Sequence, residues 1–197
     1  MAKSSQKRRN RKANQARAVS KPPKPASRAG SHAGRGFRYQ DAIAANLAVM
    51  IWADLRTPAI VIPEGGDDIE LRGSEAVFVQ VKSRREHLGQ YQSSKVVSDI
   101  SALWKRHDGT VPHPDRLELI LERVVEGLVN QNDPAIPTDI DGELSTKLHG
   151  LPNAASLLKK TKLHIMTSPR EAAIQTICDK TGCRPIAAQI CFADLLK

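Results

Sequence analysis

Residues 62–84 read IPEGGDDIELRGSEAVFVQVKSR and carry the strongest fold signal in the chain. Two short segments, DIELR and AVFVQVKS, alternate polar and apolar residues and are separated by Gly73, Ser74 and Glu75. Alternation of this kind between turn residues is typical of antiparallel strands. The apolar segment AIVIP comes just before them. The stretch therefore predicts a three-stranded antiparallel meander.

The third strand of this meander carries Gln80 and Lys82 at positions where a buried strand is usually apolar. Because alternate residues of a strand share a face, these two side chains point the same way and Val81 points the other way. Asp68 begins the preceding strand, so a tight turn would bring it near Lys82. Glu64 follows the first strand closely enough to join them. The stretch predicts a group of two carboxylates, an amide oxygen and a lysine.

Oxygen donors of this kind suit Mg²⁺ or Mn²⁺, whereas a charged lysine has no lone pair to offer a metal ion. A divalent cation and a lysine together are suited to phosphodiester hydrolysis, because both offset the negative charge that develops on the phosphate. A simple surface ion pair between Asp68 and Lys82 would explain the same residues. The residues alone leave both interpretations open.

The remaining periodicities predict the order of elements along the chain. A helix between the third and fourth strands permits a parallel crossover, so the sequence predicts an α/β fold with a mixed sheet flanked by helices. The acidic, Asn- and Pro-rich segment 126–153 receives no assignment. The expected elements are a helix at 34–56, strands at 59–63, 68–72 and 76–83, a helix at 93–107, strands at 116–123 and 162–168, a helix at 169–180, and a strand turning into a helix at 184–197.

The first helix has apolar residues at steps of three and four, which predict one buried face. Trp52 and Trp104 fall within helices and are expected in the core. The predicted face consists of Phe37, Ala44, Leu47, Ala48, Ile51 and Leu55.

Basic residues are concentrated at the N-terminus. The net charge is +9, and residues 1–36 contain eleven Lys plus Arg and no acid, so the rest of the chain is close to neutral. Few apolar residues and clustered charge predict a disordered tail at 1–33, followed by one domain at 34–197. The tail is either a solubilising segment or a nucleic-acid-binding arm, because positive charge favours polyanions without specificity.

No apolar run approaches the ~20 residues that a membrane-spanning helix needs, and the N-terminus lacks the apolar run of a signal peptide. Three cysteines, an odd number, suit reduced thiols better than a disulfide framework. We therefore expect a cytoplasmic protein without membrane contact.

The element order and the motif together resemble the PD-(D/E)xK nuclease superfamily, whose restriction-endonuclease-like three-layer core runs helix, three strands, helix, strand. Asp68 matches the acid at the start of the second strand, and Gln80-Val81-Lys82 matches the acid-or-Gln-x-Lys element of the third. The segments GRGFRYQDAIA, PEGGDDIEL and VFVQVKS more narrowly resemble the N-terminal double-stranded DNA nuclease domain of CD-NTase-associated and related bacterial anti-phage effectors.

The resemblance implies Asp68 as the principal ligand of Mg²⁺ or Mn²⁺ and Lys82 as the catalytic lysine. The side-chain oxygen of Gln80, the backbone oxygen of Val81 and the carboxylate of Glu64 would complete the metal site. Glutamine in place of the commoner acid removes a negative charge, so metal affinity is expected to be weaker and Glu64 correspondingly more important.

Asp67 competes with Asp68 for the ligand role, and Asp68 is favoured because an apolar residue follows it directly. The resemblance also implies Gln40, on the first helix, as a supporting residue of the site. Basic residues flanking the motif are candidates for contacts with backbone phosphates, namely Arg84, Arg85 and Lys95.

The function implied is a metal-dependent endonuclease domain that hydrolyses double-stranded DNA in anti-phage defence. The expected partners are DNA and either further copies of the chain or a separate sensor or NTPase component, since the sequence carries no G-x-x-x-x-G-K-[ST] motif. The alternative is a catalytically inactive nucleic-acid-binding or adaptor domain of the same fold.

Overall fold

Six strands form one mixed sheet in the computed structural model, which describes residues 28–57, 59–64, 67–108, 114–128 and 138–196. The order across the sheet is β1-β2-β3-β4-β6-β5. The strands are β1 (Ala59–Pro63), β2 (Ile69–Gly73), β3 (Ala76–Lys82), β4 (Arg116–Leu121), β5 (Thr138–Asp139) and β6 (Thr161–Ile165). The helices are α1 (Arg28–Trp52), α2 (Ser93–His107), α3 (Gly142–Leu148), α4 (Ala154–Lys160), α5 (Pro169–Thr181) and α6 (Pro185–Leu195).

The first three strands form the antiparallel meander predicted from the sequence, with β2 between β1 and β3. Strand β4 then pairs with β3 in parallel, and helix α2 makes the crossover between them. Strand β6 pairs with β4 in parallel, and β5 pairs with β6 in the antiparallel direction as the edge strand. The predicted α/β fold, a mixed sheet with flanking helices, is confirmed.

The alternation of β3 divides the core into two layers. Val77, Val79 and Val81 pack with helix α1 on one face of the sheet, because alternate side chains of a strand point the same way. Phe78 points to the other face and packs with helix α2. Gln80 and Lys82 occupy alternate positions after Phe78, so strand geometry directs them to the side that carries α2.

Helix α1 buries two faces, whereas the sequence predicted one. Ile43 and Leu47 are fully buried against the sheet, and burial of each such side chain stabilises the fold by roughly 1.5–3 kcal/mol. Ala45 and Val49, one turn apart, pack instead against helices α5 and α6. A helix between two layers needs a second apolar face, and small residues there allow close approach.

The ends of the predicted apolar face of α1 are wrong. Phe37 and Leu55 are more than half exposed, at 56% and 57%. Phe37 precedes the part of α1 that packs on the sheet, and Leu55 lies beyond the helix, which ends at Trp52 and not at residue 56 as predicted. Trp52, expected in the core, is also half exposed. Trp104 is buried as predicted, and its indole Nε1–H donates to Thr161 Oγ1 at 2.7 Å.

The C-terminal segment differs from its prediction, because 184–197 does not open with a strand. Helix α6 begins at Pro185, and a proline suits the first turn of a helix while it removes a donor from a strand ladder. Ala188 and Phe192, four residues apart, are the buried contacts of this helix. The unassigned middle of the chain contributes β5 and α3 among its described residues.

The described residues from Gly34 onwards form one compact unit. The predicted basic tail at 1–33 falls almost entirely outside the described residues, so it stays a prediction. Among the residues that are described, no helix is both long enough and apolar enough to cross a membrane.

Candidate active site

Asp68 and Gln80 lie across from each other where strands β2 and β3 meet. The register pairs Ile69 with Val79, so one further step of the antiparallel ladder places Asp68 opposite Gln80. The Asp68 side chain accepts a hydrogen bond at Oδ2 from the backbone N–H of Val81 at 2.7 Å. Its other oxygen, Oδ1, makes no hydrogen bond to any residue that the structure describes.

The carbonyl of Val81 points to the same edge as Asp68. Lys82 O accepts from Glu122 N at 3.0 Å on the β4 side of the strand. Successive carbonyls of a strand point to opposite edges, so Val81 O is directed towards the start of β2. Asp68 Oδ1 and Val81 O are therefore two hard oxygen donors on the β2 side of β3, at the end of that strand.

Gln80 is almost completely buried, with 3% of its surface exposed. In the amide orientation that satisfies its neighbours, its oxygen accepts from Lys82 Nζ at 3.2 Å and from Arg106 Nη1 and Nη2 at 3.2 and 3.3 Å. Lys82 is thus held beside Gln80, and no ion pair joins it to Asp68 within the described part of the chain. The simple surface pair that would have explained the motif is not formed.

Asp67 has a different environment from its neighbour Asp68. Its side chain is fully buried, one oxygen accepts from Arg106 Nη1, and the other contacts His107 Nε2 at 2.9 Å. Both partners come from the last turn of α2, where the positive charge of Arg106 also complements the helix dipole. Both oxygens of Asp67 are occupied, whereas Asp68 keeps one oxygen open.

Gln40 and Glu64 converge on the backbone of Asp68. Gln40 Nε2, on α1, donates to Asp68 O at 2.8 Å, and the backbone N–H of Glu64 donates to the same oxygen at 2.9 Å. Glu64 has φ 54° in the turn after β1, and its side chain is exposed. Two elements therefore hold the peptide of Asp68, and the Glu64 carboxylate stays in solvent beside it.

Glu122, which the sequence analysis missed, lies beside the end of β3. Its Oε2 accepts from Arg84 N at 2.6 Å and its Oε1 accepts from Arg35 Nη2. Tyr91 donates its hydroxyl to Lys82 O at 2.9 Å. The pKa of Tyr91 is raised by burial and, second, by the negative charge of Glu122. Glu122 directly follows the apolar run of β4. Parallel pairing of β3 and β4 brings the ends of the two strands together, so this pairing was the sequence signal that could have identified Glu122.

The predicted phosphate-contacting residues lie in three settings. Arg84 is held at the protein surface, since its guanidinium donates to Leu88 O at 2.7 Å and lies 5.1 Å from the ring centre of Tyr91. Lys95 forms an ion pair with Asp99 at 2.8 Å one turn along α2 and remains mostly exposed. Arg85 is partly exposed just beyond β3. Contacts of these residues with DNA remain predictions.

Asp68 Oδ1 and Val81 O are the candidate ligands for a hard divalent cation. The described residues contain no group of three His, Cys, Asp or Glu side chains that could hold a metal ion. Mg²⁺ usually keeps several water ligands and binds one or two carboxylates, so a richer cluster is not required. Asp68 and the Val81 carbonyl fit such a cation, and Glu64, whose backbone N–H donates to Asp68 O, has an exposed side chain.

The chain is similar to known proteins both in sequence and in fold. Residues 28–111 match the family model described as Cap4, dsDNA endonuclease domain. In fold, the chain is similar to the Moraxella osloensis Cap4 SAVED/CARF-domain containing receptor, with a TM-score of 0.52 and 13% identity. The similarity covers 82% of this chain and 41% of that one, so this chain spans less than half the length of the receptor.

No curated protein matches the chain. The matched segment 28–111 includes the helix, the meander and the motif from which the resemblance was predicted. The resemblance is therefore confirmed, and residues 28–111 are similar to the double-stranded DNA endonuclease domain of Cap4.

Proposed function

We propose that the chain is a metal-dependent endonuclease domain that hydrolyses phosphodiester bonds of double-stranded DNA in anti-phage defence. One observation carries the proposal. Within the segment that matches the nuclease family model, the fold gathers Asp68, the Val81 carbonyl and Lys82 at one end of the meander. These are the groups that phosphoryl transfer needs, namely oxygen donors for a cation and a positive charge for the phosphate.

Asp68 Oδ1 and Val81 O would hold Mg²⁺ or Mn²⁺, and Glu64 would add the second carboxylate. The bound cation would polarise the phosphate and lower the pKa of a water molecule. Gln40 keeps Asp68 in place through its hydrogen bond to the backbone. The role of Gln80 as a further ligand is supported by the sequence resemblance alone.

Lys82 would stabilise the charge on the phosphate during cleavage. It is partly exposed, so substrate can reach it, and its contact with the buried amide of Gln80 restricts its position. A lysine held in position stabilises the transition state more than a mobile surface lysine does, because no reorganisation is needed at the moment of reaction. Arg84, Arg85 and Lys95 would contact backbone phosphates along the duplex.

Cleavage of foreign DNA needs control, and the similar solved structure is a receptor with a SAVED/CARF domain. We therefore propose that this domain acts in the cytoplasm with a sensor component, or as a homo-oligomer that places two sites on the two strands. A separate NTPase component is the other form that such a partner would take.

A second function, DNA binding without cleavage, is favoured by the composition of the site. No cluster of three candidate metal ligands exists among the described residues, and the Gln80 oxygen faces cations. An inactive binding or adaptor domain would bind DNA in a salt-sensitive manner, and removal of residues 1–33 would abolish most of that binding. It would show no metal-dependent cutting.

Cleavage of supercoiled plasmid with Mg²⁺ or Mn²⁺ tests the proposal. We expect cutting by the wild-type chain, little by Lys82→Ala, and none with EDTA. Lys159→Ala is the matched control, because Lys159 is an exposed lysine on α4, outside the site. If Lys82→Ala cuts as fast as wild type, the assignment of Lys82 is wrong. If no protein cuts while all bind DNA, the second function stands.

A further inference from the structure

The oxygen of Gln80 already has three hydrogen-bond donors around it. Lys82 Nζ lies at 3.2 Å, and Arg106 Nη1 and Nη2 lie at 3.2 and 3.3 Å. A carboxamide oxygen has two lone pairs, so three donors leave none for a metal ion. Gln80 is also almost fully buried, which restricts it to these neighbours. Its surroundings are those of a residue that holds cations.

Arg106 is held from two sides and still reaches solvent. The buried carboxylate of Asp67 accepts from Nη1, and the Gln80 oxygen accepts from Nη1 and Nη2. The guanidinium has five N–H donors in a planar fork, so Nε–H and one N–H of Nη2 remain for other acceptors. The side chain is 47% exposed. A phosphate oxygen can therefore approach a guanidinium whose position is already defined.

The charges around Gln80 explain why a neutral residue is useful there. Asp67 offsets the charge of Arg106, while Lys82 Nζ lies beside the neutral amide of Gln80 and forms no ion pair with a carboxylate of the described residues. Glutamate at position 80 would form ion pairs with both cations and reduce their attraction for an anion. Glutamine keeps the same geometry and leaves the positive charge available to a ligand.

We propose that Gln80 is a positioning residue that holds Lys82 and Arg106 as a two-cation clamp for one DNA backbone phosphate, and that Arg106 is a phosphate-binding residue of the site. Arginine is suited to this role because its planar fork matches two phosphate oxygens. The clamp rests on the proposed function, since it names a substrate contact of the same site. It leaves the metal ion to Asp68, Val81 and Glu64 and takes Gln80 out of the ligand set.

Binding of a short duplex in EDTA, measured over a range of salt concentrations, tests Arg106 without any cleavage. We expect Arg106→Ala to weaken binding about tenfold and to reduce the salt slope by about 1, as expected for one lost phosphate contact. Arg106→Lys should restore the slope but only part of the affinity, because lysine cannot bind two oxygens in a fork. Lys105→Ala, at the exposed neighbouring position on α2, is the matched control and should change neither quantity.

Gln80→Glu separates positioning from metal binding. We expect a KM for DNA about tenfold higher, with an unchanged half-saturating Mn²⁺ concentration and a kcat reduced less than KM is raised. If Gln80 were a ligand, the added carboxylate would lower the half-saturating Mn²⁺ concentration and leave metal-free DNA binding unchanged. That result would overturn the clamp, as would an unchanged salt slope in Arg106→Ala.

The two proposals fail in different ways. Absence of cutting by the wild-type chain would contradict the nuclease assignment, while the metal-free binding data for Arg106→Ala would still decide the clamp. Thermal unfolding of each variant shows whether a loss of binding is a loss of folding, and Arg106→Lys retains a cation for Asp67 if Arg106→Ala proves unstable.

Discussion

Two clusters of charged and polar side chains lie against the sheet, and they differ in access to water. The outer cluster, Asp67, Gln80, Lys82 and Arg106, lies at the end of β3 and includes partly exposed cations. The inner cluster, Arg56, Arg116 and Glu118, centres on the middle of β4, where Glu118 is 0% exposed and Arg56 is 7% exposed. Charge in the interior therefore does not by itself mark a functional site.

Strand position explains the difference. Glu118 pairs in register with Val79, so its side chain points into the layer between the sheet and α1. Two arginines offset its buried charge there: Arg56 donates from Nη2, and Arg116 forms an ion pair through Nε at 3.0 Å. Gln80 and Lys82 come later along β3, where the strand ends and a ligand can approach. The inner cluster stabilises the fold, and the outer cluster is the one suited to binding.

The largest expected effect is on the stability of the inner cluster. Glu118→Ala leaves the nearly buried Arg56 without its carboxylate partner, so the free energy of unfolding should fall by about 3–5 kcal/mol. Urea denaturation measures this change. Glu75→Ala is the control, because the half-exposed Glu75 lies 3.5 Å from Arg116 and should change stability by less than about 0.5 kcal/mol. Equal effects of the two variants would show that the burial of Glu118 does not determine the loss of stability.

Asp68→Asn should act on cleavage and hardly at all on folding. The amide oxygen can still accept from Val81 N–H, but the negative charge for the cation is lost. We expect the cleavage rate to fall about 10²–10³-fold, with the free energy of unfolding changed by less than about 1 kcal/mol. Plasmid cleavage and urea denaturation of the same preparation check both numbers. A variant that cuts normally would remove Asp68 from the site.

Asp67→Asn should show the opposite pattern. The buried carboxylate accepts from Arg106 and contacts His107, and hydrogen bonds to charged groups contribute about 1.5–3 kcal/mol. We expect a loss of that size in the free energy of unfolding and a smaller loss of cleavage than in Asp68→Asn. If Asp67→Asn abolished cleavage at full stability, the two aspartates would have to exchange roles.

The smallest expected effect appears at alkaline pH. The pKa of Tyr39 is raised above its usual range by burial and, second, by the charge of Glu122. The folded-state pKa exceeds the unfolded value of about 10, so this contribution to stability is complete below pH 10 and is lost as the pH rises further. Each such tyrosine should reduce the free energy of unfolding by up to about 1.4 kcal/mol per pH unit above 10.

Tyr39→Phe tests this dependence. The variant loses the hydrogen bond to Met166 O but should show a flatter decline of stability above pH 10, because Tyr91 is then the one tyrosine left with a raised pKa. Urea denaturation at a series of alkaline pH values measures the decline. An identical slope in variant and wild type would show that folding does not raise the pKa of Tyr39.

Much of the fold followed from local pattern. The alternation in β3 predicted which valines share a face, and the meander and the crossover helix α2 were predicted close to their observed bounds. The buried faces of α1 were predicted only in part, because the residues that a helix buries depend on which layers lie on either side of it. The first residues of the C-terminal helix were predicted as a strand, since a short apolar run suits strand and helix alike.

The sequence by itself determined the strand periodicity, and with it the common face of Gln80 and Lys82, because backbone geometry sets that period locally. Only the tertiary structure decided what this face meets. Asp67 pairs with Arg106 and His107, which lie 39 and 40 residues further along the chain, and this pairing distinguishes it from Asp68. No local pattern encodes such a contact, because it depends on where the crossover returns α2 to the sheet.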